Sequence, residues 1–109
     1  MTEAHLAVER SHADSVRIAI GGEIDLANAA AIEGQIVDEI TNQHTEVTLD
    51  LHDLTYIDSA GLRVLFTLAT RLETLQIALE LIVPLESPIR KMIEVSGVAA
   101  VISVLPARK

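Results

Sequence analysis

The sequence predicts an α/β fold in which a mixed sheet of four or five strands packs against amphipathic helices, within one domain spanning residues 1–109. Two observations predict it. Apolar residues alternate with polar ones in some segments and recur at the helical period in others, and the two kinds of segment follow one another along the chain. Strands separated by helices favour parallel pairs joined by right-handed crossovers.

The first two strands are predicted to form a β-hairpin. Their apolar residues alternate with polar neighbours and are Leu6 and Val8, then Val16, Ile18 and Ile20. A polar turn at residues 12–14 joins the two segments, so the hairpin is expected to add an antiparallel edge to the sheet.

The first helix is predicted to run from Asn28 to about Ile40. Asparagine is a residue type that caps helix N-termini, and Ile32 and Ile36 recur at the helical period. Gly34 lies in the helix interior, where glycine costs about 1 kcal/mol relative to alanine. Either that cost is tolerated, or the helix face must be flat there for close packing.

A third strand is predicted at residues 47–51, and a second helix is predicted to begin at Ser59, after the segment 54–57. The core-facing stripe of this helix follows the helical period. Its predicted members are Leu62, Leu65, Phe66, Ala69 and Leu72.

The last third of the chain predicts a further strand at residues 77–83 and a third helix. Ser87–Pro88 is typical of a helix start, and Gly97 of a left-handed residue at a helix end. The residues predicted to face inward are Ile89, Met92 and Ile93. The apolar segment 99–105 fits more than one structure, and residues 106–109 are expected to form a frayed tail.

The composition excludes several classes of function. The formal net charge is -8, so the chain is a poor candidate for nucleic-acid binding. Its aromatic residues are one Tyr and one Phe, so it lacks the stacking platforms of single-stranded nucleic-acid binders. The absence of cysteine excludes disulfides and thiolate nucleophiles. The sequence predicts neither a signal peptide nor a membrane span. We therefore expect a cytoplasmic protein that requires no cofactor and acts through a protein partner.

Asp58 and Ser59 lie where a strand is predicted to end and a helix to begin. Such a junction exposes backbone N–H groups and the positive end of a helix dipole. Asp58 can cap the helix, which leaves the Ser59 hydroxyl facing solvent and accessible to a kinase. Both residue types are also common at helix starts for capping alone, so the local pattern by itself assigns no role.

Two chemical alternatives have weak support in the sequence. Residues 57–61 lack the first glycine of a nucleophile elbow, and nothing in the pattern places a histidine beside Ser59, so no catalytic residue is assigned. Asp50, His52 and Asp53 lie close together in the sequence but without the spacing of a zinc site. No metal site is assigned either.

The second helix carries two apolar residues away from its predicted core stripe. Val64 and Leu68 share a flank with Gly61 and are expected to be exposed. Exposed apolar residues on a helix can mark a partner site, although two isolated apolar residues are also ordinary surface. Because this helix begins at Ser59, modification and docking would share one surface.

Four segments, in this order along the chain, carry a resemblance to a known family: Gly22–Asp25, Val47–Leu51, Tyr56–Leu62 and Ile93–Val98. With them the chain resembles the STAS domains, and among these the bacterial anti-sigma factor antagonists. The resemblance covers nearly the whole chain, and the segments follow one another in the order of the family. The Asp-Ser-Ala-Gly-Leu element is the more specific one, whereas the Gly-Glu-Ile-Asp element alone would be weak.

The resemblance implies a binding switch that phosphorylation controls. In such antagonists a serine kinase that is also the anti-sigma factor phosphorylates the serine matching Ser59. The unmodified form binds the anti-sigma factor and frees the sigma factor, and a phosphatase resets the switch. The predicted partner-binding residues are Asp25, Asp58, Ser59, Gly61, Val64 and Leu68.

Two other interpretations stay open. The same fold serves in soluble regulatory subunits of lipid-transport ABC systems, although these commonly carry Thr at the position of Ser59. The second is a serine-dependent enzyme, which the missing elbow glycine disfavours. A neighbouring gene for an ATPase or permease, against one for a sigma factor or serine kinase, would separate the first from an antagonist. An esterase assay with a serine-reactive probe would expose the second.

Overall fold

The computed structural model describes residues 2–107, and its helices and strands follow the predicted order. Within that range the strands are β1 (Ala4–His12), β2 (Ser15–Ile24), β3 (Glu46–Asp50), β4 (Leu54–Ile57), β5 (Ala78–Ile82) and β6 (Ser103–Leu105). The helices are α1 (Ala29–Asp38), α2 (Ser59–Thr74) and α3 (Arg90–Ser96), followed by a 3₁₀ turn (Val98–Ala100). Of the helices in this part of the chain, none combines the length and the apolar character needed to cross a membrane.

The strands form one mixed sheet in the order β1-β2-β3-β5-β6. β1 is antiparallel to β2, as the predicted hairpin requires, and the other pairs among the described strands are parallel. β4 lies off this path, because it pairs with the second half of β2 while β3 pairs with the first half. The mixed sheet is confirmed. The described strands exceed the predicted four or five through β6, which forms the last three residues of segment 99–105 and pairs with β5.

One aliphatic cluster forms the core. The register aligns Ile18, Leu49 and Leu81 across β2, β3 and β5, and all three are fully buried. Ile36 of α1 and Ile93 of α3 belong to the same cluster. The helices therefore bury their apolar sides together with one set of alternating strand residues, as the two sequence periods predict.

The first and third helices begin differently from the prediction. Asn28 precedes α1, but its side chain accepts a hydrogen bond from the Asp25 N–H (3.0 Å) and donates one to the Glu23 carbonyl (2.9 Å) instead of capping the helix. α3 begins at Arg90, and the Ser87 hydroxyl accepts a hydrogen bond from Ile89 N–H (3.2 Å) in the turn before it. In both places a short polar side chain stabilises the turn that leads into the helix.

The end of α3 follows the prediction, and the first residues of the predicted tail are exposed. Gly97 ends α3 in the left-handed region, with φ of 87°, as predicted. Pro106 and Ala107 are exposed. The rest of the predicted tail, residues 108–109, lies outside the described residues.

The buried stripe of α2 is centred differently from the predicted one. Its buried residues are Gly61, Val64, Leu65, Leu68 and Leu72. Val64 is 4% exposed and Leu68 is 0% exposed, so the prediction that they form an exposed flank is wrong. Apolar residues occupy so much of this helix that the sequence does not mark the centre of the stripe. Packing turns the i, i+3, i+4, i+7 set that starts at Gly61 toward the core.

Leu68→Ala is expected to lower the free energy of unfolding by about 2–5 kcal/mol, because it removes a fully buried side chain and leaves a cavity. Denaturant unfolding measures the change. The neighbouring exposed residue provides the control: Thr67→Ala should stay within about 0.5 kcal/mol of the parent chain. If the two variants are equally stable, Leu68 does not belong to the core.

Gly34→Ala is expected to stabilise the chain by about 1 kcal/mol, because alanine has the higher helix propensity. A Cβ atom at Gly34 would meet no other atom within 4 Å, so close packing does not explain this glycine. Denaturant unfolding again gives the free energy. A destabilised Gly34→Ala variant would mean that this face of α1 is packed.

Candidate functional site

The ends of β2 and β4 bring two acidic loops together. The parallel register pairs Ile24 with Ile57, so Asp25 and Asp58 each follow a strand at the same edge of the sheet. The Asp58 N–H donates a hydrogen bond to the Ile24 carbonyl (3.2 Å), which continues the pairing by one step. Asp25 and the Asp58–Ser59 junction therefore form one surface although they lie far apart in the sequence.

Asp58 caps α2, as predicted. Its Oδ1 accepts hydrogen bonds from the N–H groups of Ala60 (2.9 Å) and Gly61 (3.2 Å). Ser59 is the first residue of the helix and is exposed. In the described part of the chain the Ser59 hydroxyl makes no hydrogen bond, so it is both accessible and uncommitted. The cap fixes the backbone that carries this hydroxyl.

Gly61 is a packing position, and the prediction that it lies in an exposed docking flank is wrong. A Cβ atom there would lie 2.5 Å from Ile57 Cγ1 and 3.1 Å from Ile24 Cγ2. The absence of a side chain allows the first turn of α2 to approach the ends of β2 and β4 closely. Glycine at this position therefore holds Ser59 close to the sheet edge.

The loop that carries Asp25 is built around its carboxylate. The Thr2 hydroxyl donates to Oδ2, and the Ala27 N–H donates to Oδ1 (2.8 Å). The hydrogen bond from Thr2, followed by those from backbone N–H groups, holds the pKa of Asp25 below its ordinary value. Asp25 is therefore ionised at neutral pH. Leu26 follows it at the tip of the loop with 82% of its surface exposed.

A cleft of about 380 Å³ lies between the β4–α2 junction and the start of α3. Ile57 and Ile89 form its buried floor, and Tyr56 and Met92 form its exposed sides. Ser59 lies on its rim. The prediction that Met92 faces the core is wrong, because Ile89 and Ile93, one turn apart, already occupy the core side of this short helix. Sequence periodicity gave no signal for the cleft, since its two sides come from distant segments.

Asp50, His52 and Asp53 form a network of polar contacts at the end of β3, in which His52 contacts both carboxylates. Asp50 is buried and accepts hydrogen bonds from Arg17 (2.6 Å) and from the His52 ring (2.8 Å), while the other ring nitrogen of His52 lies 3.2 Å from Asp53. Burial alone would raise the pKa of Asp50, but the bonds from His52 and Arg17 outweigh it and lower that pKa. Within residues 2–107 no three His, Asp or Glu side chains are placed to hold a metal ion.

Comparison with known proteins identifies the family. The family model of the STAS domain matches residues 6–108. The chain is also 34% identical over 88 residues to BtrV of Bordetella bronchiseptica, whose name provisionally describes an anti-sigma factor antagonist. That alignment covers 81% of this chain and 75% of BtrV.

Solved structures share the fold. The crystal structure of an anti-sigma factor antagonist from Mycobacterium paratuberculosis has a TM-score of 0.78 and 22% identity, covering 96% of this chain and 87% of the other. SpoIIAA in its unphosphorylated form has a TM-score of 0.76 and 22% identity, covering 96% and 90%. The phosphorylated form of SpoIIAA from Bacillus has a TM-score of 0.67 and 22% identity, covering 96% of this chain and 93% of the other. With a family model that spans most of its length, this chain belongs to the STAS domain family.

Proposed function

We propose that the chain is an anti-sigma factor antagonist whose binding is switched off by phosphorylation of Ser59. The unmodified chain binds an anti-sigma factor that is also a serine kinase, and a sigma factor is thereby released. Phosphate on Ser59 ends the binding, and a phosphatase restores it. This role implies action in the cytoplasm.

The presentation of the Ser59 hydroxyl carries the proposal. It is exposed on the first residue of α2 and makes no hydrogen bond within the described residues. The Asp58 cap and the close contact at Gly61 hold the surrounding backbone in place. A kinase would therefore meet a hydroxyl group carried on a fixed stretch of backbone, which lowers the entropic cost of phosphate transfer.

Electrostatics favour a switch at the interface over a change of fold. Phosphorylation adds about -1.5 to -2 charges at neutral pH, and the N-terminus of a helix tolerates an anion. A partner that covers Ser59 would have to remove water from that charge beside the carboxylate of Asp58, and juxtaposed like charges cost several kcal/mol. Since about 1.4 kcal/mol is tenfold in affinity, the loss would be roughly a hundredfold or more.

The relatives support the same role. The name of BtrV describes an anti-sigma factor antagonist, and BtrV aligns with most of this chain. SpoIIAA, an anti-sigma factor antagonist of the same fold, has been solved in unphosphorylated and phosphorylated forms. The exposed Ser59 gives this chain a residue that can carry the same modification.

The geometry offers less to a serine-dependent enzyme. A hydrolytic serine needs a histidine within hydrogen-bond reach, and the described residues that line the cleft beside Ser59 include no histidine. The neighbouring carboxylate, Asp58, accepts two backbone hydrogen bonds as a cap. These contacts support a binding role.

Phosphorylation of Ser59 is expected to lower the affinity for the cognate anti-sigma factor at least a hundredfold, because the partner must desolvate the phosphate. Isothermal titration calorimetry on the unmodified and phosphorylated chains measures it. Ser59→Ala should bind like the unmodified chain. The control is Ser103→Asp, which adds a negative charge at an exposed serine of β6 and should change the affinity less than twofold. Equal affinities of the two forms would refute the switch.

Asp58→Ala is expected to cost about 0.5–2 kcal/mol of stability through loss of the cap, and to slow phosphate transfer to Ser59 because the loop is no longer fixed. Asp58→Asn is the matched variant, since asparagine caps as well as aspartate does. It should keep both stability and phosphorylation rate. Phosphate incorporation by the cognate kinase, followed over time, gives the rate. A normal rate in Asp58→Ala would exclude a positioning role for Asp58.

A further inference from the structure

We propose that the cleft between the β4–α2 junction and α3 is the pocket in which the anti-sigma factor seats an apolar side chain. The inference rests on the proposed function. It assigns partner binding to the cleft, because the α2 flank predicted from the sequence is buried. The cleft opens where β4 and β5 lead into the helices α2 and α3. In open α/β sheets the carboxyl ends of parallel strands are the usual place for a ligand.

The chemistry of the cleft fits an apolar occupant. Its floor is Ile57 and Ile89, which are 2% and 1% exposed. Tyr56, the one tyrosine of the chain, is 49% exposed, and Met92 is 38% exposed. Tyrosine and methionine are enriched at protein interfaces. Among the described residues of the lining, Asp58 is the one carboxylate, and it is engaged in the cap.

Both walls of the cleft are fixed before any partner arrives. On one side the Asp58 carboxylate caps α2. On the other, the Arg90 guanidinium donates to the Val83 carbonyl (2.6 Å) and the Ser87 hydroxyl accepts from the Ile89 N–H (3.2 Å), which ties the start of α3 to the end of β5. A preformed pocket lowers the ordering cost of binding.

The position of Ser59 selects the occupant. Ser59 lies on the rim, so an apolar group that fills the cleft would bring its protein against the hydroxyl. Phosphate at the rim would keep its water and oppose the burial of that group. A second copy of this chain is disfavoured, because a symmetric contact between two such faces would bring two copies of Asp58 and Asp25 into one interface. We therefore assign the cleft to the anti-sigma factor, the partner whose binding Ser59 phosphorylation would control.

The test compares two substitutions on α3. Met92→Glu places a charge on the wall of the cleft, whereas Val95→Glu places the same charge on an exposed residue of the same helix outside the lining. The probe is the purified anti-sigma factor that binds the unmodified chain. We expect Met92→Glu to weaken binding at least tenfold and Val95→Glu less than twofold, with melting temperatures close to that of the parent. Met92→Leu should bind within threefold of the parent.

A second measurement reports the contact directly. The chain has two methionines, Met1 and Met92, so ¹³C-methyl methionine labelling gives two signals, and Met92→Leu assigns them. Binding should shift the Met92 methyl signal. Equal affinities of Met92→Glu and Val95→Glu, or an unmoved Met92 signal in the complex, would overturn the pocket while the effect of Ser59 phosphorylation leaves the switch standing.

Two further outcomes are also decisive. If no anti-sigma factor binds the unmodified chain, the proposed function and the pocket fail together. If sedimentation shows concentration-dependent dimers that Met92→Glu separates, the occupant is a second copy of the chain and the proposal is wrong.

Discussion

The position of Asp25, Asp58 and Ser59 depends on one feature of β2, which changes its neighbouring strand along its length. The first half of β2 pairs with β3 and the second half with β4, and the change occurs at Gly22, where the register shifts. Gly22 has φ of 94°, and a Cβ atom there would collide with the Glu3 carbonyl oxygen. Its N–H donates to the Asp53 carbonyl (3.1 Å), which ties β2 to the turn between its two partners. This irregularity lets β4 run beside the end of β2 and deliver Asp58 next to Asp25.

The charged network at the end of β3 stabilises the same turn. Asp50 is buried, and an isolated buried carboxylate is unfavourable. Arg17 and His52 offset that cost, and the resulting low pKa keeps Asp50 ionised. His52 also reaches Asp53, so the polar residues that look like a loose metal motif in the sequence hold the β3–β4 turn in one conformation. Because β4 begins at the residue after Asp53, these contacts also hold the start of β4 in place.

The sequence is informative where a residue has one local task. The Asp58 cap, the left-handed Gly97 and the antiparallel hairpin follow from short-range chemistry and were predictable. The centre of the α2 stripe was not, because apolar residues surround so much of the helix that only packing decides which of them are buried, and Leu68 is among these. The outward position of Met92 and the pairing of β6 depend on contacts between distant segments, and so does the cleft, whose two walls are about a third of the chain apart.

These features together explain how, in the proposed switch, a phosphate on Ser59 would act without refolding the domain. The hydroxyl belongs to the first residue of a helix that Asp58 caps. Gly61, in the first turn of that helix, packs closely against the buried Ile57. Because Ser59 is exposed, a group added to its hydroxyl can stay in contact with solvent. A phosphate placed on a flexible loop could be moved aside by a partner at little cost, whereas one held on a rigid rim cannot. In the proposed switch, the rigidity of the scaffold is what converts a local change in charge into a change in affinity.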